Sequence, residues 1–152
     1  MIDLATAMEK IQQAYFEAIR QETKEGGMLE GVRDIVLGNK ARPQPEIPNV
    51  WVFREEATQD HAPTTRMEKW EVPIFLVSCV KDEIPEDGYK YADALAARSR
   101  SVILKDRTLG LRDFVQDTKT IRFFPSGPAL SDGKMHSAAV VMQTTFLLKE
   151  GF

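Results

Sequence analysis

Trp70-Glu71-Val72-Pro73-Ile74-Phe75-Leu76-Val77-Ser78-Cys79-Val80 is the stretch on which the fold turns. Trp70, Val72, Ile74, Leu76 and Val80 fall on one face of an extended chain, with Ser78 the only polar member. Phe75, Val77 and Cys79 fall on the other. Alternation at a period of two is the mark of a strand. Apolar residues on both faces predict a strand covered on both sides, by a helix and by a neighbouring subunit. Pro73 has no N–H to give to a ladder, so the strand is an edge or carries a bulge there.

The chain leaves this strand through Lys81 to Asp87, which holds four carboxylates, Asp82, Glu83, Glu86 and Asp87. Negative charge favours the N-terminus of a helix, and Tyr89 to Leu104 has helical spacing, with Ala92, Leu95, Ser99, Val102 and Ile103 in one stripe. Lys119 to Phe124 and Ser137 to Lys149 then read as a hairpin, the second arm alternating over a dozen residues with one buried face. Pro125 to Lys134 is broken by glycine and proline and reads as its loop.

Upstream, Leu4, Met8, Ile11, Tyr15 and Ile19 recur at helical spacing behind Asp3, a good capping residue. Gly26-Gly27 is the expected stop. Within residues 28–48, Val32, Ile35, Val36 and Leu37 fit either a short strand or a helical turn before Gly38-Asn39, and Pro43, Pro45 and Pro48 then keep the chain extended. Val50 to Phe53 is strand-prone, and Glu55 to Arg66 reads as an exposed loop. The sum is one α+β domain: a mostly antiparallel sheet of four to five strands near 49–55, 66–81, 118–124 and 137–149. Helices near 3–25 and 88–105 pack on it.

Composition narrows the classes further. The chain has 152 residues, 43% hydrophobic and 28% charged, with a formal charge of −3. It is long enough for one core, and it lacks the basic field of a nucleic-acid wrapper. The lone Cys79 excludes an internal disulfide and a cysteine-based zinc site. No targeting pattern and no apolar run long enough to span a bilayer is visible, so folding in a cytoplasm and no membrane partner are expected.

Catalytic patterns are missing. No glycine-rich phosphate loop with its lysine is present, and Pro125-Ser126-Gly127 sits in a hairpin tip, not a nucleophile elbow. His61 and His136 are isolated in polar segments and read as solvated loop residues. The 82–87 carboxylates lack the spacing and glycine of a calcium loop. Arg98, Arg100, Lys105 and Arg107 have no interleaved aromatics for stacking bases. No catalytic residue, metal or cofactor is expected.

The N-terminal helix, the Ile47-Pro48-Asn49-Val50-Trp51-Val52 strand, the Trp70-Glu71-Val72-Pro73-Ile74 strand, the acidic turn, the Ala92–Leu104 helix and the closing hairpin together resemble the tail terminator (tail-completion) proteins of long-tailed bacteriophages. The similarity rests on element order and apolar spacing across nearly the whole chain and is loosest at 25–46. It implies a virion protein assembled in the host cytoplasm. Six copies would form a ring on the head-proximal end of the tail tube, ending tube growth and presenting a head-joining surface. The implied partners are further copies of itself, the tail tube protein and a neck or head-completion protein, with no sequence-specific nucleic acid. Another neck component, or a small ligand-binding or enzymatic domain, is the alternative.

For such a role the polar loops and the charged helix face are the expected contacts. The residues concerned are Glu55, Glu56 and Asp60 in one loop, Ser126, Asp132 and Lys134 in the other, Asp82, Glu83 and Glu86 in the acidic turn, and Arg98, Arg100 and Arg107. If the hairpins run the same way, both loop tips project from one end of the sheet. Neither the arginines nor the acidic turn is expected to pair fully within one chain.

Overall fold

The computed structural model describes residues 2–38, 45–60 and 66–149. They form an α+β domain with two α-helices and a seven-stranded mixed sheet. In chain order the elements are α1 (Leu4–Glu22), β1 (Asp34–Leu37), β2 (Asn49–Arg54), β3 (Thr58–Asp60), β4 (Met67–Lys81), α2 (Pro85–Leu104), β5 (Val115–Phe124), β6 (Ser131–Asp132) and β7 (Met135–Lys149). The sheet runs β1-β2-β4-β7-β5, with β3 also on β4 and β6 also on β7. Every pairing is antiparallel except β1 with β2, which is parallel. The sheet is therefore larger than the four or five strands expected; it is mostly antiparallel, with the one parallel pairing at its β1 edge.

Asp3 caps α1 as its chemistry predicts, its carboxylate accepting from the Thr6 amide at 2.7 Å. The helix stops earlier than the two glycines suggest. Thr23 ends it, its hydroxyl donating to the Arg20 carbonyl at 2.8 Å. The α2 helix starts earlier than expected, at Pro85, because proline at the first helical position has its φ already set and no N–H to lose. Glu86 and Asp87 occupy its first turn, where the helix dipole favours them.

The backbone resolves the Pro73 question in favour of a bulge. β4 lies in the middle of the sheet, between β2 and β7. Arg54 pairs with Ile74 and Thr58 with Glu71, so residues 55–57 face only 72 and 73. The Pro73 carbonyl accepts from the Glu55 amide at 2.9 Å. The N–H that proline lacks would have pointed to that same irregular side.

Both helices pack on one sheet face. Ala7, Ile11, Tyr15 and Ile19 of α1 and Ala92, Leu95, Ala96, Val102 and Ile103 of α2 join one core with Val50, Val52, Val72, Ile74, Leu76, Val80, Ala138, Val140, Met142 and Phe146. The buried Tyr15 hydroxyl is not wasted: it lies 2.7 Å from Thr144 Oγ1, itself 3.0 Å from Thr118 Oγ1. Burial of that ring pushes the phenol above its ordinary range.

Candidate interaction surface

The opposite face of the sheet carries no helix among the described residues. Cross-strand register places Trp51 beside Val77, Phe53 beside Phe75, Phe75 beside Val141 and Val77 beside Ala139. Arg122 and Phe124 of β5 flank Val141 and Ala139 on the far side of β7. Phe53 and Phe75 stack with centroids 5.1 Å apart, and Arg122 lies over the Phe124 ring at 5.4 Å. Trp51, Phe53, Phe75 and Val77 are half-buried, while Ala139 and Val141 on the neighbouring β7 are buried. That is why β7 is buried on both faces between Ala138 and Met142, where the alternation predicted only one.

A shallow groove of about 340 Å³ crosses this surface, lined by Glu55, Pro73 and Phe75 on one side and Ile121, Arg122, Phe124 and Val141 on the other. The patch has polar limits along the strands. At one end the Gln143 amide donates to Glu71 at 2.7 Å. At the other, Asn49 pairs across to Cys79, whose Sγ lies 3.3 Å from Ser137 Oγ. Burial raises the Cys79 thiol above its usual value, which leaves it protonated and a poor nucleophile.

The polar residues expected to make contacts are not brought together. The turn before β4 and the turn before β7 lie at the N-terminal ends of two strands that pair antiparallel over their full lengths. The two loops therefore leave opposite ends of the sheet, separated by fourteen residue steps or roughly 45 Å. The two hairpins thus do not run the same way, and the condition for loops at one shared end is not met. Neither is an unstructured loop among the described residues. Thr58–Asp60 continue the β2 edge against Lys69–Glu71, and Asp60 approaches Lys69 at 3.7 Å. Glu55 and Glu56 sit at the bulge between β2 and β3, both exposed. His61 lies outside the described residues.

The far loop is pinned at several points. The Ser126 amide donates to Asp93 at 2.6 Å, Ser131 and Asp132 pair with His136 and Met135, and Lys134 reaches Glu83 at 3.0 Å. His136, read from the sequence as solvated, is 1% exposed. Its Nε2 lies 3.1 Å from the Asp82 carbonyl and its Nδ1 2.9 Å from Ser131 Oγ. The ring meets Tyr89 edge-on at 5.2 Å and lies against Gly88, where any Cβ would collide with it. Gly88 is thus the residue that lets α2 approach β7. His136 ties the acidic turn, α2 and the hairpin together; it is a structural histidine.

The arginines are also placed differently. Arg107 is satisfied within the chain, its Nε and Nη2 donating to the two Asp117 oxygens at 2.7 and 3.0 Å. That bidentate guanidinium holds the Asp117 carboxyl below its ordinary value. Arg100 donates to Thr120 Oγ1 at 2.7 Å. Arg98 is exposed on α2 with no ion pair among the described residues, and Glu86 likewise.

A second groove of about 410 Å³ separates the C-terminal halves of α1 and α2, floored by Ala14, Ala18 and Val102. Lys105 and Glu22 form an ion pair at its rim. Asp106 accepts from Thr108 and Gly110 and so shapes the turn after α2; those bonds keep its carboxyl low. Among the described residues there is no group of three or more His, Cys, Asp or Glu side chains able to hold a metal. No helix among the described residues is long and apolar enough to cross a membrane. No protein-family model and no curated protein matches the chain.

Proposed function

We propose that this chain is a structural ring subunit of the tail-terminator kind, six copies of which cap the head-proximal end of a phage tail tube and present a head-joining surface. The observation that carries this reading is the uncovered sheet face. Trp51, Phe53, Phe75, Val77 and Phe124 are core-type residues, yet no helix lies over them among the described residues. Apolar patches with polar limits mark surfaces that another protein covers. Two further features support it. The sheet ends in unlike edges, four-residue β1 and ten-residue β5, as head-to-tail ring contacts require two different surfaces. The two polar loops leave opposite ends of the sheet, which suits a subunit that meets a tube on one side and a neck on the other. No catalytic step is assigned to it.

Electron microscopy of isolated tails incubated with the purified protein tests the reading. A ring of density at one tail end, with tails of uniform length that then join filled heads, is the expected result. Failure to bind tails, or binding along the tube wall, overturns it.

A further inference from the structure

We infer that the open sheet face is a self-complementary contact that pairs two copies of this chain about a two-fold axis, with Glu55 of each copy over Arg122 of the other. Those two charges stand on opposite flanks of the face. Glu55 borders β4 on the β2 side, next to Pro73, and Arg122 borders β7 on the β5 side, next to Val141. Both line the same groove, with Phe75 and Val141 between them. Their levels along the strands differ little: Glu55 is opposite Pro73, which pairs with Gln143, and Arg122 pairs with Val141.

Two identical faces stacked about an axis that lies between them and parallel to the strands exchange left for right. Glu55 of one copy then falls near Arg122 of the second, and the reverse pair forms at the same time. The side-chain offset is two residues, roughly 7 Å along the strand, within reach of an arginine. The same axis keeps the strands of the two sheets nearly aligned, as packed sheets prefer. Other two-fold orientations set Glu55 against Glu55 and Arg122 against Arg122.

The size of the patch sets the strength. Four strands about 4.8 Å apart and about six residues long give a surface of roughly 20 by 20 Å. Two copies bury on the order of 800 Å² in plan and more with side-chain relief, the low end of specific interfaces. The pairing is therefore weak and concentration-dependent. The apolar centre between Phe75 and Val141 and the charged flanks match the anatomy of such interfaces. A two-fold contact closes at two copies, so it goes beyond the ring role: it gives the open face, which marks the chain as an assembling subunit, to a second copy and leaves the head-to-tail ring contacts to the two unlike sheet edges.

Sedimentation velocity on the full chain, from about 1 to about 200 µM, reads the dimer directly. Glu55→Arg and Arg122→Glu should each weaken it about tenfold, with a loss that shrinks at high salt. The double reversal E55R/R122E should restore it, because the pair is only exchanged. Phe75→Asp should abolish it, with circular dichroism checking the fold. A monomer throughout the range, a dimer indifferent to either single reversal, or a double variant no better than the singles overturns the pairing. Rings that cap tails while sedimentation shows no charge-governed dimer overturn the pairing alone. A charge-governed dimer that never caps tails overturns the ring reading alone.

Discussion

Gly88 and His136 offer a test of how α2 is seated, because each residue sets the space for the other. His136→Ala removes a ring 1% exposed, two polar contacts at 2.9 and 3.1 Å, and the edge contact with Tyr89. Two hydrogen bonds at about 1 kcal/mol each, plus a partly collapsed cavity, give a loss of about 3 kcal/mol. For a domain of this size that lowers Tm by roughly 6–12 °C. Gly88→Ala alone drives a Cβ into the His136 ring, and overpacking of about 1–3 kcal/mol outweighs the gain in helix propensity of up to about 1 kcal/mol. In the double variant the ring is gone, so the new methyl fills space and the helix gain remains. Urea unfolding should therefore show the double variant about 1–2 kcal/mol more stable than the sum of the single losses. Strict additivity, or a neutral Gly88→Ala, would refute the claim that this glycine is required by the histidine.

Ser78 Oγ is buried on the core face without a hydrogen-bond partner among the described residues. Ser78→Ala should then raise stability by about 1 kcal/mol in urea unfolding, since it deletes an uncompensated desolvation cost. Asp3, Glu17, Glu22, Asp106 and Asp117 all have carboxyls held below their ordinary values, each chiefly by a hydrogen bond in the folded chain. Depressed carboxyls stabilise above their unfolded pKa of about 4 and lose that contribution as pH falls through their folded values. Tm should be flat from neutral pH to about 5 and fall steadily below about 4; a Tm unchanged at pH 2.5 would contradict this. Arg107→Ala removes an exposed pair that closes on Asp117 within the chain. It should cost less than about 1 kcal/mol and leave subunit association unaltered in sedimentation.

Long-period patterns were legible in the sequence and short, non-local pairings were not. The period of two in Trp70–Val80 marked β4 as a strand with apolar residues on both faces; the helices cover one of them, and the other is the open face. The helical spacing behind Asp3 located α1 to within a turn. β1 stayed open between a short strand and a helical turn because its partner is fifteen positions away, Asp34 against Asn49. Four residues carry too little pattern to declare a strand. β3 and β6 escaped for a different reason. Both are polar, and they are strands because β4 and β7 are each fifteen residues long and offer unpaired backbone beside them. His136 was a misreading that the pattern itself contradicts, since it stands in phase with Ala138, Val140 and Met142. The Arg107–Asp117 pair has no local signal at all. It depends on a reversal through Leu109 and Gly110, whose φ values of 57° and 69° only the folded chain reveals.

The misplaced loop tips carry the more useful lesson about function. Each loop precedes a long strand, and those two strands are neighbours that run antiparallel in full register from Met67–Lys149 to Lys81–Met135. Antiparallel neighbours entered through their own turns must be entered from opposite ends. A subunit with both loops at one end would grip a single partner there. One with loops at both ends, and an apolar face between them, can be held at its ends by two different partners and on its flank by copies of itself. Loop polarity and flank apolarity then serve different contacts. Charge changes at Glu83, Asp132 or Lys134 should alter attachment at that end alone, and changes at Phe75 or Arg122 should alter self-association alone. Separable defects in a head-joining assay and in sedimentation would support this division, and a single variant class that lost both together would show that one surface serves for everything.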